Sequence, residues 1–193
     1  EDTKLTLQDD TTKKIELFKK LEFKQLLADI DTSSTNEEVI DKTFEIEQDF
    51  QNVDLNDLNE AVIHFELEGT NYLKDTILKF GFYTNHQHVV INAEDVKDYK
   101  HLVQWLEDKN TTKIVYDAKK TYVSAHRLGI NIENIEFDVM LASYIIDPSR
   151  SIDDVKSVVS LYGQNYVKDN ITIFGKGKKH HIPEEPILNE HIA

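Results

Sequence analysis

The chain has 193 residues, 39% hydrophobic and 30% charged, with a formal charge of -14. That balance fits one soluble domain of ordinary size plus an appendage, and it lacks the basic stripe of a duplex-DNA binder. The absence of cysteine excludes a disulfide framework, a thiolate zinc site and a cysteine nucleophile.

No apolar run approaches the ~20 residues of a membrane span, and no secretory signal opens the chain. The expectation is a cytoplasmic protein without membrane contacts. A start at Glu1 and an end at Ala193, inside an expected helix, suggest a piece of a longer polypeptide.

Residues 9 to 30 read as helical, with Asp9, Asp10 and Thr11 as cap candidates and Ile15, Phe18, Leu21, Leu26 and Leu27 as an apolar stripe. The polar run from Asp31 to Glu38 reads as a linker, and a domain boundary is expected near Asp41. Lys42 to Glu47 suggests a short strand, and Asp54 to Glu60 a short helix capped by Asp54. Ala61 to Glu68 predicts the central strand. Ile77 to Tyr83 and His88 to Asn92 predict a hairpin around Asn85-His86-Gln87. Glu94 to Asp108 predicts one amphipathic helix, with Trp105 in the core. Lys113 to Tyr116 predicts a strand, Ala118 to Leu128 a helix stopped by Gly129, and Ile132 to Phe137 a further strand. Phe137 to Ile146 is an apolar helix headed by Asp138. Ser151 to Tyr162 is a helix capped by Ser151, and the last helix runs from Pro183 to Ala193 with Pro183 in its first turn. The meander followed by helical crossovers predicts an α/β domain with a mixed five-stranded sheet and helices on both faces.

Chemistry concentrates on the central strand. Alternation puts His64, Glu66 and Glu68 on one face, and two acids at i and i+2 can grip a hard cation or a pair of them. The competing reading is a solvated strand end. Asp117 reads as a helix cap and His64 as a hydrogen-bonded, partly buried side chain. His180-His181 beside Lys178-Lys179 reads as a solvated turn. Gly175-Lys176-Gly177-Lys178 lacks the spacing of a P-loop.

The segments Ile63–Tyr72, Lys97–Glu107, Phe137-Asp138-Val139-Met140-Leu141-Ala142-Ser143-Tyr144, Asp153-Asp154-Val155 and Phe174-Gly175-Lys176-Gly177 together resemble the 3′-5′ exonuclease-like domain of bacterial DNA polymerase I. The resemblance is especially to the form in Bacillus and Staphylococcus relatives. Thr11 to Ile30 resembles the tail of the preceding 5′ nuclease region. The resemblance implies residues 1–41 as that tail plus linker, and 42–193 as the exonuclease-like domain with a ribonuclease H-like fold. Active members use a D-x-E pair, an Asp on a later helix and a Y-x-x-x-D pair to bind two divalent metals.

This chain departs from that pattern. Its first pair is Glu66-Leu67-Glu68, and Glu is longer than Asp by one methylene, about 1.5 Å. In the second motif the family's Asn falls on Asp117 and its metal-binding Asp on Thr121, beside Lys119 and Lys120. The third motif is expected beyond Ala193. The implied function is a vestigial exonuclease domain serving as a scaffold beside the polymerase domain in DNA repair and replication. An active two-metal proofreading exonuclease with substituted carboxylates is the alternative. No catalytic residue is then expected, Glu66, Glu68, Asp117 and Thr121 being degenerate positions, with Glu66 and Glu68 as the candidate metal ligands. No cofactor is expected in this piece, with Mg²⁺ or Mn²⁺ tied to any residual activity. The implied partners are the polymerase and 5′ nuclease domains of the same chain, with DNA met through the parent protein.

Overall fold

The structure, a computed structural model, describes residues 11–21, 44–84, 87–148, 154–160 and 167–193. The chain divides into two compact units, Glu1–Glu38 and Val39–Ala193. In the first, helix α1 spans Thr11–Lys20, with Ile15 and Phe18 half-buried. Asp9, Asp10, Leu26, Leu27 and the expected linker lie outside the described residues.

The second unit is built on one mixed sheet. Its strands are β1 (Ile46–Glu47), β2 (Glu60–Leu67), β3 (Ile77–Thr84), β4 (Gln87–Asn92), β5 (Thr112–Val115) and β6 (Ile135–Asp138), in the order β1-β4-β3-β2-β5-β6. β3 is antiparallel to β2 and β4, while β1–β4, β2–β5 and β5–β6 are parallel. The sheet therefore has six strands, not the expected five. The short strand expected within Lys42–Glu47 is present as β1, two residues long, and it joins the sheet as the sixth strand by pairing with a segment some forty positions away.

Strand alternation works as the sequence predicts. Ile63, Phe65 and Leu67 are 1%, 1% and 2% exposed and enter the main core with Phe80, Phe82 and Val96. Helix α2 (Lys100–Glu107) buries Leu102, Trp105 and Leu106 against that core, and Trp105 Nε1 donates to the Leu58 carbonyl at 2.9 Å. The single helix expected over Glu94–Asp108 is broken. A 3-10 segment, Ala93–Asp98, precedes α2, and Tyr99 at φ -87°, ψ 83° leaves helical geometry between them. Helix α3 (Ala118–Arg127) stops at Gly129, whose φ of 78° lets Gly129 N–H reach the His126 carbonyl and Ile130 N–H the Ala125 carbonyl.

The expected helix at Asp54–Glu60 is a turn. Asp54 Oδ1 accepts from Asn56 N–H at 2.9 Å, and Asp57 sits at φ 59°, so the polar side chain closes a loop rather than a helix. The strand expected over Ile132–Phe137 is displaced to Ile135–Asp138. Helix α4 (Val139–Ile146) follows it and buries only Ser143, leaving Leu141, Tyr144, Ile145 and Ile146 more than half exposed.

Helix α5 spans Val155–Ser160, and Asp154 accepts from Ser157 N–H at 2.8 Å. Ser151, the expected cap, lies outside the described residues. Helix α6 (Asn170–Phe174) is capped by Asp169, and α7 spans Glu185–Ile192 with Pro186, not Pro183, in its first turn. Pro183 is buried just ahead of it.

The second face of the sheet is covered by α7. The β2–β3 register shifts between Glu66↔Lys79 and Leu67↔Ile77, so Leu78 is the extra residue of a bulge. It packs in a separate cluster with Ile173, Phe174, Leu188 and Ile192. Helices thus cover both faces, α2 against the main core and α7 against the face of His64 and Glu66.

Candidate metal centre on the central strand

Glu66 is 4% exposed, although its side chain points away from the main core. Its Oε2 lies 2.7 Å from His64 Nε2, two residues back on the same face. An ionised carboxylate only accepts, so Nε2 carries the hydrogen. Burial alone would raise the Glu66 carboxyl above its ordinary range. The His64 hydrogen bond and the fields of His64, Lys120 and His191 outweigh it and hold the group below that range. Lys120 comes from the first turn of α3 and His191 from the last turn of α7. His191 is itself pushed down by burial, against the pull of Glu66, and its Nε2 lies 3.2 Å from Asn170 Oδ1.

Glu68 stands just past the strand. Its backbone N–H bonds the Thr76 carbonyl at 2.9 Å, and its Oε2 accepts from Thr76 Oγ1 at 3.0 Å. Lys79, the cross-strand partner of Glu66, is 7% exposed and turns instead to Asn92 Oδ1 at 2.9 Å and to Glu185 at the start of α7. That contact holds the Glu185 carboxyl below its ordinary range.

Asp117 sits in the left-handed region at φ 65° and caps α3, accepting from Lys120 N–H at 2.9 Å. Thr121 is 2% exposed, and its hydroxyl donates to the Asp117 carbonyl at 3.0 Å within the same helix. Asp138 ties these ends together. Its carboxylate accepts from Asp117 and Ala118 N–H at 3.1 and 2.8 Å and from Met140 and Leu141 N–H at 2.9 and 3.3 Å. It therefore caps α3 and α4 at once. The adjacent histidines each turn to a carbonyl: His180 Nε2 donates to Glu68 O at 2.8 Å, and His181 Nδ1 lies 3.2 Å from Lys179 O.

Among the described residues, no three His, Cys, Asp or Glu side chains stand close enough to hold a metal ion. A two-metal centre needs several converging carboxylate oxygens. The neighbours of Glu66 are basic, and the side chain at position 121 is neutral and already bonded, so this donor set does not fit a metal pair. His191 and Lys79 carried no signal in the sequence. His191 lies in a separate helix far along the chain, and only the docking of α7 brings it to Glu66.

Comparison with known proteins places this geometry. DNA polymerase I of Streptococcus pneumoniae strain R6 is 33% identical over 174 residues, 89% of this chain and 19% of that protein. DNA polymerase I of Bacillus caldotenax is 28% identical over 187 residues, 96% of this chain and 21% of that protein. The chain thus spans about a fifth of the length of these relatives. Among solved structures, Brucella melitensis NrnC aligns with TM-score 0.58 at 17% identity, covering 78% of this chain and 74% of its own. Escherichia coli RNase D, an exoribonuclease, aligns with TM-score 0.54 at 11% identity, covering 78% and 41%. A structure of the Brucella protein carries bound Mg²⁺. Both likenesses support an α/β ribonuclease H-like fold, which the six-stranded sheet and its two helical layers display. The family model of the DNA polymerase I ribonuclease H-like domain matches residues 63–193, from the third position of the central strand's apolar run to the end of α7. With most of its length inside that match, the chain belongs to the 3′-5′ exonuclease-like domains of DNA polymerase I.

Proposed function

We propose that this chain is the vestigial 3′-5′ exonuclease-like domain of a DNA polymerase I, cutting no DNA and serving as a scaffold beside the polymerase domain in repair and replication. Residues 42–193 form that domain, and residues 1–41 the tail of the 5′ nuclease region with its linker. The polymerase and 5′ nuclease domains of the same polypeptide are its partners, DNA is met through them, and the setting is cytoplasmic.

Thr121 carries the reading. Where active relatives place a metal-binding Asp, this chain buries a neutral hydroxyl and bonds it to the Asp117 carbonyl. A hydroxyl held this way contributes no negative charge to a divalent ion. Glu66 and Glu68 are then the remnants of a ligand set, with Asp117 retained as a helix cap.

The test is a nuclease assay on this chain and on the whole polymerase, with a labelled single strand and Mg²⁺ or Mn²⁺. The expected outcome is a strand of unchanged length. Shortening from the 3′ end that disappears in a Glu66→Ala, Glu68→Ala double variant would overturn the proposal.

A further inference from the structure

Helix α4 has its polarity inverted. Its eight residues, Val139–Ile146, include no charged side chain. A surface helix normally buries its apolar stripe and shows its polar side chains to water. Here the domain buries Ser143, at 8% exposure, while Ile145 and Ile146 are 79% and 72% exposed. Leu141, Tyr144 and Ile145 stand at i, i+3 and i+4, the spacing of one helix face, and each is more than half exposed. Phe137, in β6 just ahead of the helix, is exposed as well. β6 is the last strand in the sheet order, so α4 starts from a sheet edge. Its own packing is against β6 and α5. Large apolar side chains gathered in the open on one uncharged helix mark an interaction surface.

We propose that the outer face of α4 is the surface on which the polymerase domain of the same polypeptide docks. The inference rests on the scaffold reading above and gives it a place on the molecule. In the Streptococcus pneumoniae and Bacillus caldotenax relatives the matching stretch is 19% and 21% of the protein, so most of each polymerase lies outside it. A domain on the same polypeptide meets the face at a high effective concentration, and a modest contact area then suffices. A second copy of this chain is the poorer occupant, because two bodies of formal charge -14 repel each other. Tyr144 supplies the aromatic anchor on which such contacts turn. With no charge between Val139 and Ile146, the face offers nothing for an ion pair, so the surface that meets it is apolar in turn.

The experiment has two arms. In the first, the photo-reactive p-benzoylphenylalanine replaces Tyr144 in the whole polymerase, and the peptides joined on illumination are identified by mass spectrometry. The expected product is an internal cross-link to a peptide of the polymerase domain. A cross-link to the 5′ nuclease region, a cross-linked dimer or no cross-link at all would overturn the inference. In the second, thermal unfolding compares Ile145→Glu with the parent, both in this chain and in the whole polymerase. The midpoint of this chain is expected to stay where it is, since the side chain faces water. The first transition of the whole polymerase is expected to fall by several degrees, since docking then encloses an unpaired charge. No fall in the whole polymerase, or an equal fall in this chain alone, would refute the docking face. A strand-cleavage assay on the same samples separates the two proposals. Shortening from the 3′ end by the parent polymerase sinks the vestigial reading and leaves the docking face standing. A cross-link elsewhere with the strand uncut sinks the docking face alone.

Discussion

Lys113 is fully buried, and its ammonium donates to the Asp108 carbonyl at 2.7 Å, the Thr111 carbonyl at 3.0 Å and Thr111 Oγ1 at 2.8 Å. It also stands 4.9 Å from the centre of the Trp105 ring. All three protons are satisfied, and the turn that follows α2 is tied to β5 through them. Burial nevertheless pushes the group down to about 8, with Asp108 and Glu133 offsetting part of the effect. The folded state therefore releases this proton before the unfolded chain does. Between about pH 8 and 10.5 the unfolded state binds more protons, so stability attributable to Lys113 rises with pH across that window and is lowest below it. The expected gain is up to about 3 kcal/mol. Urea titrations of the parent and of Lys113→Met at the two ends of the window check it: the difference between the two proteins should shift toward the parent at high pH. A flat difference would show that the ammonium is not the cause. At this scale the sequence displayed types but not surroundings. Asp138 read correctly as the cap of an apolar helix. That its oxygens also hold the start of α3 follows only from the parallel pairing of β5 and β6.

Elements were legible where a short stretch decides its own state. The alternation of Ile63, Phe65 and Leu67, the Gly129 stop and the pairing of β3 with β4 as a hairpin are all local, although Gln87, expected in the turn, belongs to β4, and Asn85 and His86 lie outside the described residues. Elements shaped by distant partners were not. The short strand at β1 was expected, but its place at the sheet edge comes only through β4, and the break at Tyr99 occurs inside an unbroken amphipathic pattern. The seat of α7 is the largest such case. Its position depends on Leu78 turning to the second face at the bulge and on the bare backbone of Gly81. Gly81 has no unusual φ, so the reason for glycine there is the close approach of Ile192. Gly81→Ala should thus destabilise the domain by about 1–3 kcal/mol, the ordinary cost of an added methyl in packed surroundings. Ile192→Ala in the same chain should recover part of that loss, because it removes the atom in conflict. Equilibrium urea unfolding of the two single variants and the double measures this; a double variant as unstable as the sum of its parts would mean that the helix does not sit on Gly81.

The whole molecule joins a fold that the order of its elements foretold to a net negative charge that opposes binding of a phosphate backbone. A meander followed by helical crossovers leaves few ways to build a sheet, and the α/β outcome follows from that order. Helices on both faces were expected from that order too; which helix seats on the second face was not, since it is decided by packing between residues over a hundred positions apart. Electrostatics at this scale needs no such detail. The chain carries 36 Asp and Glu against 22 Lys and Arg. Phosphate binding gains its strength from cations that displace the counterions of the nucleic acid. Lys120 stands in the first turn of α3, where its charge acts on Glu66. This chain by itself should therefore give no rise in fluorescence anisotropy with a labelled single strand at low salt, and added Mg²⁺ should not create one. A rise that weakens steeply with added salt would instead reveal a phosphate-binding track, and the scaffold reading would then have to include direct contact with DNA.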